Sequence, residues 1–569
     1  MTPVPSEPTP RRIADGYVDD LVVLVPVLAT ALGVPVGQDR WPDWSPAGLA
    51  AREALQRHTL GALDAAERAA GGRDGLDDLD RRCARLLRER LEAQLAVTDA
   101  GEGLRQLDTM FSPPQEVRQA FTLMPTATEE DWEVVAARME RVPEALAGYR
   151  DSLAEGRDRD LVAGPRQVEA VVAQLAGWGA DGGWFRTVAR RGPQRLGDRL
   201  ERAAVGADQA IDGLGTWLAA VYAPAAARRR DPVGREAYAR WARLWSGSDL
   251  DLDEAYAWGW SEFARLDAEL RAEAAKILPG ASPRQAMAQL DEHGPAIVGV
   301  EAVREHLQHL MDEAIESLDG VHFDLAPPLR KVESMIAPEG AAAAPYYTRP
   351  SQDFSRPGRT WLPTMGRERF PMWDLVSTWY HEGVPGHHLQ LAQWVYVAPR
   401  LSRYQTGVGS VSADAEGWAL YAERLMDELG FLTDPAARIG YLDAQQMRAV
   451  RVVVDLGMHL ELPIPADQGV PEPFHPGERW TPQLAREFFG ANSGRPPEFL
   501  DSEIVRYLGW PGQAIGYKLG ERAWLAGREA ARRQRAARGE TFDLKTWHMA
   551  ALSQGSLGLD DLVDELSAL

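Results

Sequence analysis

A single cysteine, Cys83, stands in a chain of 569 residues. An intrachain disulfide is excluded, and so is a zinc site built from thiolates; any metal here must use His and carboxylate ligands. Lysine is nearly as scarce. Lys276, Lys331, Lys518 and Lys545 are the only four, Arg carries the rest of the positive charge, and the net charge is −22. Nucleic acids and anionic membranes select basic surface, so neither is an expected partner. Long apolar runs are missing too. The longest, Leu21 to Val34, is broken by Pro26 and Thr30 and is too short to span a bilayer. Asp19 and Asp20 precede it, where a signal peptide would carry positive charge. The expectation is a soluble cytoplasmic protein.

What is present is helix. From Ser45 to about Asp319, Ala, Leu, Arg and Glu dominate and apolar positions recur at helical spacing, as in Leu86, Leu87, Leu91 and Leu95. Gly71-Gly72, Ser112-Pro113-Pro114 and Gly294-Pro295 punctuate it. His306 and His309 lie at i, i+3, but no acidic third ligand accompanies them, so a solvated pair is expected. From Val321 to Phe370 proline and aromatics rise, and Arg359-Thr360-Trp361-Leu362 has the look of a short strand. Helices resume at Met372, with predicted spans near 413–429 and 435–459. The reading divides the chain into a proline-rich loose arm over 1–10, a helical region over 11–320 and a metal-binding region over 321–569. The last two are expected to pack as one body.

The chemistry concentrates in Tyr380-His381-Glu382-Gly383-Val384-Pro385-Gly386-His387-His388. A His-Glu pair followed by another His on a helix is the pattern of a zinc hydrolase: two imidazoles bind the ion and the Glu activates water. Here the residue four after His381 is Pro385. In an unbroken helix His388 would share a face with His381 about 10.5 Å away, and His387 would point about 120° off. Pro385-Gly386 should distort the helix, and a bulge of two residues would bring His387 to the second-ligand position. The reading favours His387, with His388 as the alternative. Glu416, in Ser412-Ala413-Asp414-Ala415-Glu416-Gly417-Trp418, is the candidate third ligand from a following helix, leaving a fourth position for water. Glu423, one face with Glu416, suggests a salt bridge to an Arg.

The pattern His-Glu-x-x-Pro-Gly-His-His-x-Gln, then Glu-Gly-Trp-Ala-Leu-Tyr-Ala-Glu-Arg-Leu, resembles a large bacterial domain-of-unknown-function family grouped with the zincin-like (gluzincin) metallopeptidases. The likeness continues through Arg448 to His459 and through Arg506 to Gly520, so it runs from about Pro345 to Gly520. It implies a mainly α, multi-helix fold of the oligopeptidase or angiotensin-converting-enzyme type around a substrate channel, to which the texture over 321–370 adds a small β element before the His-Glu helix. It also implies one Zn2+ held by His381, His387 or His388, and Glu416, with Glu382 as general base. After His459 the family tends to continue Gly-Trp, whereas this chain has Leu460-Glu461-Leu462-Pro463.

The other matched positions suggest roles by chemistry. Amide hydrolysis builds negative charge on the carbonyl oxygen, and His459 and Tyr517 are the candidate donors. Lys518 and Arg506 could hold a substrate carboxylate. Asp455, four residues before His459, could orient an imidazole. The expected activity is zinc-dependent hydrolysis of short peptides. A non-peptide amide substrate and an inactive helical binding protein are the rival readings.

Overall fold

The structure is a computed structural model and describes residues 8–338 and 344–569. The first seven residues of the expected loose arm lie outside these; Pro10 already opens a helix, Pro10–Leu24, with proline at its first position. The chain divides into two units, one comprising Met1–Ala84, Leu91–Arg240 and Ser502–Pro511, the other Arg85–Arg90, Trp241–Asp501 and Gly512–Leu569. The sequence boundary near 320 therefore falls inside the second unit.

The first unit is helical throughout. Its helix starts are those the sequence announces: Ser45 accepts from the Gly48 N–H, Asp77 from Asp80, and Thr128 and Asp131 form a reciprocal capping box. Its core gathers Trp41, Trp44, Phe121, Trp132, Tyr149 and Leu153 around Leu200 and Ile211. Arg138 is buried there, its guanidinium 4.9 Å from the Trp41 ring centre and 2.8 Å from Thr30 Oγ1.

The second unit carries the His-Glu segment. Its strands are β1 (Ala296–Val298), β2 (Val332–Ile336), β3 (Tyr346–Thr348), β4 (Gly358–Leu362) and β5 (Arg369–Pro371). β4 is central, parallel to β2 and antiparallel to β3, while β1 pairs with β5. The register sets Glu333 opposite Arg359, which pair at 2.8 Å, and Tyr346 opposite Trp361, which stack. The helices that matter are α1 (Leu252–Ile277), α2 (Val300–Leu318), α3 (Leu375–Glu382), α4 (His387–Val397), α5 (Ser412–Glu428), α6 (Pro435–Leu460) and α7 (Gly516–Ala537). The fold is mainly helical with a small β element ahead of the His-Glu helix.

α6 is nearly all buried and forms the spine of this unit. It packs along α1, where a Cβ on Gly259 would stand 2.8 Å from Val452 Cγ1. α5 and α7 cross backbone to backbone. A Cβ on Gly417 would lie 2.3 Å from the Gly520 carbonyl carbon, and one on Gly520 would lie 1.9 Å from the Ala413 oxygen. Those atoms are backbone and cannot swing aside. Gly417→Ala must push the two helices apart and should cost about 1–3 kcal/mol or more. A denaturation midpoint equal to wild type would show that the helices do not meet at these glycines.

Candidate metal centre

α3 is anchored by Trp379, buried, whose indole N–H donates to Ser334 Oγ of β2 at 3.0 Å. Its last turn presents His381 and Glu382. Pro385, which has no N–H to donate, ends the helix there; the Val384–Pro385 peptide is cis. The Gly386 N–H donates to the Tyr380 oxygen at 3.0 Å, six residues back instead of four, and the His388 N–H reaches Gly383 at 3.0 Å. Two extra residues are thus looped out before α4 begins at His387. Gly386 is required by contact, since a Cβ there would lie 2.0 Å from the His381 oxygen. The Trp418 indole of α5 clamps the interruption from outside, its N–H 2.9 Å from the Pro385 oxygen and 3.1 Å from that of Gly386.

This geometry brings three groups together. Glu416 Oε2 stands 3.4 Å from His381 Nε2 and 3.5 Å from His387 Nε2. Four ligands about 2.0–2.1 Å from a tetrahedral zinc are separated by about 3.3–3.4 Å. The spacing is therefore that of co-ligands. Glu416 Oε2 is shielded from water and has no hydrogen-bond partner, an expensive state for an anionic oxygen unless a cation satisfies it. These residues fit a zinc ion. Glu382 adjoins them: one ligand atom each from His381, Glu382 and His387 lie within 4.8 Å of one another. Glu416 and Glu382 both stand beside the two imidazoles, Glu416 at the co-ligand spacing.

His381 is oriented from behind. Its Nδ1 lies 2.8 Å from Glu423 Oε1, and Ser377 Oγ donates to Glu423 Oε2 at 2.6 Å. Nδ1 therefore carries the proton and Nε2 faces the cluster. The expected partner of Glu423, an Arg, is replaced by this imidazole. Burial alone would lower His381, but the carboxylates of Glu416 and Glu423 beside it outweigh that and raise its pKa to about 9. Burial would raise Glu416; the imidazoles of His381 and His387 beside it hold it far below the carboxylate range instead. Glu382 is raised by burial, an effect that His387 and His381 only partly oppose. Glu423→Gln keeps the shape and removes the charge that fixes His381. It should weaken zinc binding about 10- to 100-fold in chelator competition, and unchanged affinity would remove Glu423 from the site.

His388 points elsewhere. Its Nε2–H donates to the Leu329 oxygen at 2.8 Å, and its Nδ1 accepts from the Tyr347 hydroxyl at 3.0 Å. Burial pushes its pKa down to about 4, keeping it neutral. Gly358 leaves room for this pair, since a Cβ there would meet the Tyr347 oxygen at 2.3 Å. The choice between the two histidines falls on His387.

The remaining candidates divide. Tyr517, half-buried at the start of α7, lies with its ring 4.8 Å from the Arg451 guanidinium and stays a donor candidate. His459 has no exposed surface, and its Nε2 lies 3.7 Å from Asp455 Oδ1. Asp455 does stand beside that imidazole, and its Oδ2 accepts from the Gly512 N–H at 2.9 Å. Lys518 is fully buried, and its three N–H donors go to Glu262 and Gln445, each at 2.8 Å, and to Glu521. It has none left for a substrate carboxylate. Its charge instead balances Glu262, whose pKa falls to about 2 because Arg265 and Lys518 outweigh the effect of burial. Arg506 belongs to the first unit and is held in a two-pronged pair by Glu503, at 2.7 and 2.8 Å. His306 and His309 are exposed, and His309 pairs with Glu313 at 3.0 Å. Sequence reasoning missed the Trp418 clamp and the Glu423–His381 bond; the seven-residue spacing of Glu416 and Glu423 was the available signal for the second.

Among the described residues no helix is long and apolar enough to cross a membrane. Two solved structures share the fold over nearly their whole length. A "putative lipoprotein" from Colwellia psychrerythraea is 21% identical with a TM-score of 0.80, over 99% of each chain. A "putative lipoprotein of unknown function" from Shewanella oneidensis is 18% identical with a TM-score of 0.74, over 98% of this chain and 99% of the other. No curated protein matches the chain. The model of the family described as "Bacterial protein of unknown function (DUF885)" matches residues 26–566, and the chain belongs to that family.

Proposed function

We propose that the protein is a zinc-dependent metallopeptidase of the zincin type, acting on short peptides, with His381, His387 and Glu416 as the zinc ligands. The observation that carries this reading is the 3.4 and 3.5 Å spacing of Glu416 Oε2 from the two imidazole nitrogens, with Glu382 adjoining. Zinc held there would supply Lewis acidity, polarising a substrate carbonyl and acidifying a water at its open position. Glu382 is the base. It takes a proton from the attacking water and returns it to the leaving amine, and its raised pKa suits both transfers. Glu423 holds His381 in the tautomer that leaves Nε2 free. Tyr517 is the candidate donor to the oxyanion.

The same site could open a non-peptide amide, and an inactive relative would keep the fold without turnover. A panel of short peptides and aryl amides, given to zinc-loaded full-length protein, separates the three. Peptide cleavage supports the proposal; cleavage of aryl amides alone favours the amidohydrolase; turnover of neither overturns enzymatic function.

A further inference from the structure

Arg448 carries a guanidinium that the fold uses little. It lies on α6, half-buried, and its Nη1 donates to the Ala444 oxygen one turn back at 3.0 Å. Its Nε is shielded from water and has no hydrogen-bond partner. Among the described residues no carboxylate forms an ion pair with it. Glu423, whose charge it feels most strongly, has one oxygen on His381 and the other on Ser377.

The surroundings make the guanidinium costlier still. Burial and the charges of Arg451 and Arg495 all disfavour its charged form. Arg495 also has a water-shielded Nε without a partner, with its nearest carboxylate, Asp443, 3.8 Å away. Arg451 lies over the Tyr517 ring. A shielded cationic fork in a like-charged group is relieved by an anion, and a planar guanidinium matches a carboxylate with two parallel hydrogen bonds. Arg448 also lies within the electrostatic reach of Glu382. The two residues sit on packed helices, α3 and α6.

We propose that Arg448, backed by Arg451 and Arg495, receives the free C-terminal carboxylate of the peptide, so that the centre trims short peptides from their C-terminal end. This rests on the metallopeptidase reading and adds its substrate class. Every unblocked peptide carries that carboxylate, and the helices that carry the seat and the base pack against each other.

Calorimetry on the full-length Glu382→Gln protein, where turnover is blocked, tests it with trialanine and trialaninamide. The acid should bind about 10- to 100-fold tighter than the amide. Adding Arg448→Gln should bring the ratio to about one by weakening the acid alone, and Arg448→Lys should restore part of the preference. Unchanged amide affinity in these variants shows that the fold is intact. Equal affinity for acid and amide before the Arg448 change, or equal loss of both after it, overturns the proposal. Zinc content measured on the same samples keeps the two readings apart. An acid preference that depends on Arg448 in protein that binds no zinc supports the carboxylate seat and overturns the metal centre; a missing preference with zinc bound does the reverse.

Discussion

Glu382→Gln should lower kcat on a short peptide by about 10²- to 10⁴-fold while leaving zinc stoichiometry and KM close to wild type. The substitution keeps the side chain's size at a buried position and removes the carboxylate that adjoins the two imidazoles and serves as the proposed base. Burial raises the pKa of this carboxyl, which strengthens it as a proton acceptor. A glutamine cannot take the proton, so the loss should appear in the chemical step and not in substrate binding. Steady-state kinetics on zinc-loaded full-length protein provide the check. Full activity in the variant would remove Glu382 from the mechanism.

His387→Ala and His388→Ala should part company completely. His387 Nε2 lies 3.5 Å from Glu416 Oε2, so its removal takes one of the three proposed zinc ligands and should abolish zinc retention through gel filtration. His388 has both nitrogens occupied by Leu329 and Tyr347, and truncating it strands a buried carbonyl and a buried hydroxyl. That variant should keep its zinc and lose about 2–5 kcal/mol of stability. Zinc analysis and a denaturant melt on both variants decide the matter; zinc lost from His388→Ala and retained by His387→Ala would reverse the assignment.

The helices were legible because their stop and start signals are local. Thr128 with Asp131, Asp434 before Pro435, and the apolar periodicity of α5 and α6 all speak within one or two turns. The interruption after Glu382 was legible for the same reason: proline and glycine at that spacing demand a bulge, and the Gly386-to-Tyr380 bond is that bulge. Partners were not legible. Lys518 looked functional because lysine is rare here, yet its charge is spent on Glu262 of α1 and Glu521 of its own helix. Glu423 shared a face with Glu416, but only the packing of α3 against α5 makes His381 its partner. His459 looked accessible because its neighbours were unknown; α6 is covered on all sides at that point. Arg448 stood in a matched segment without a role until its neighbours left its Nε unpaired.

The central claim is that His381, His387 and Glu416 hold one zinc ion. Elemental analysis of protein purified without chelator or nickel resin and then dialysed against zinc, alongside the His381→Ala variant, tests it most directly. The account predicts about one zinc per chain for wild type and none for the variant; equal zinc content in the two proteins would contradict it.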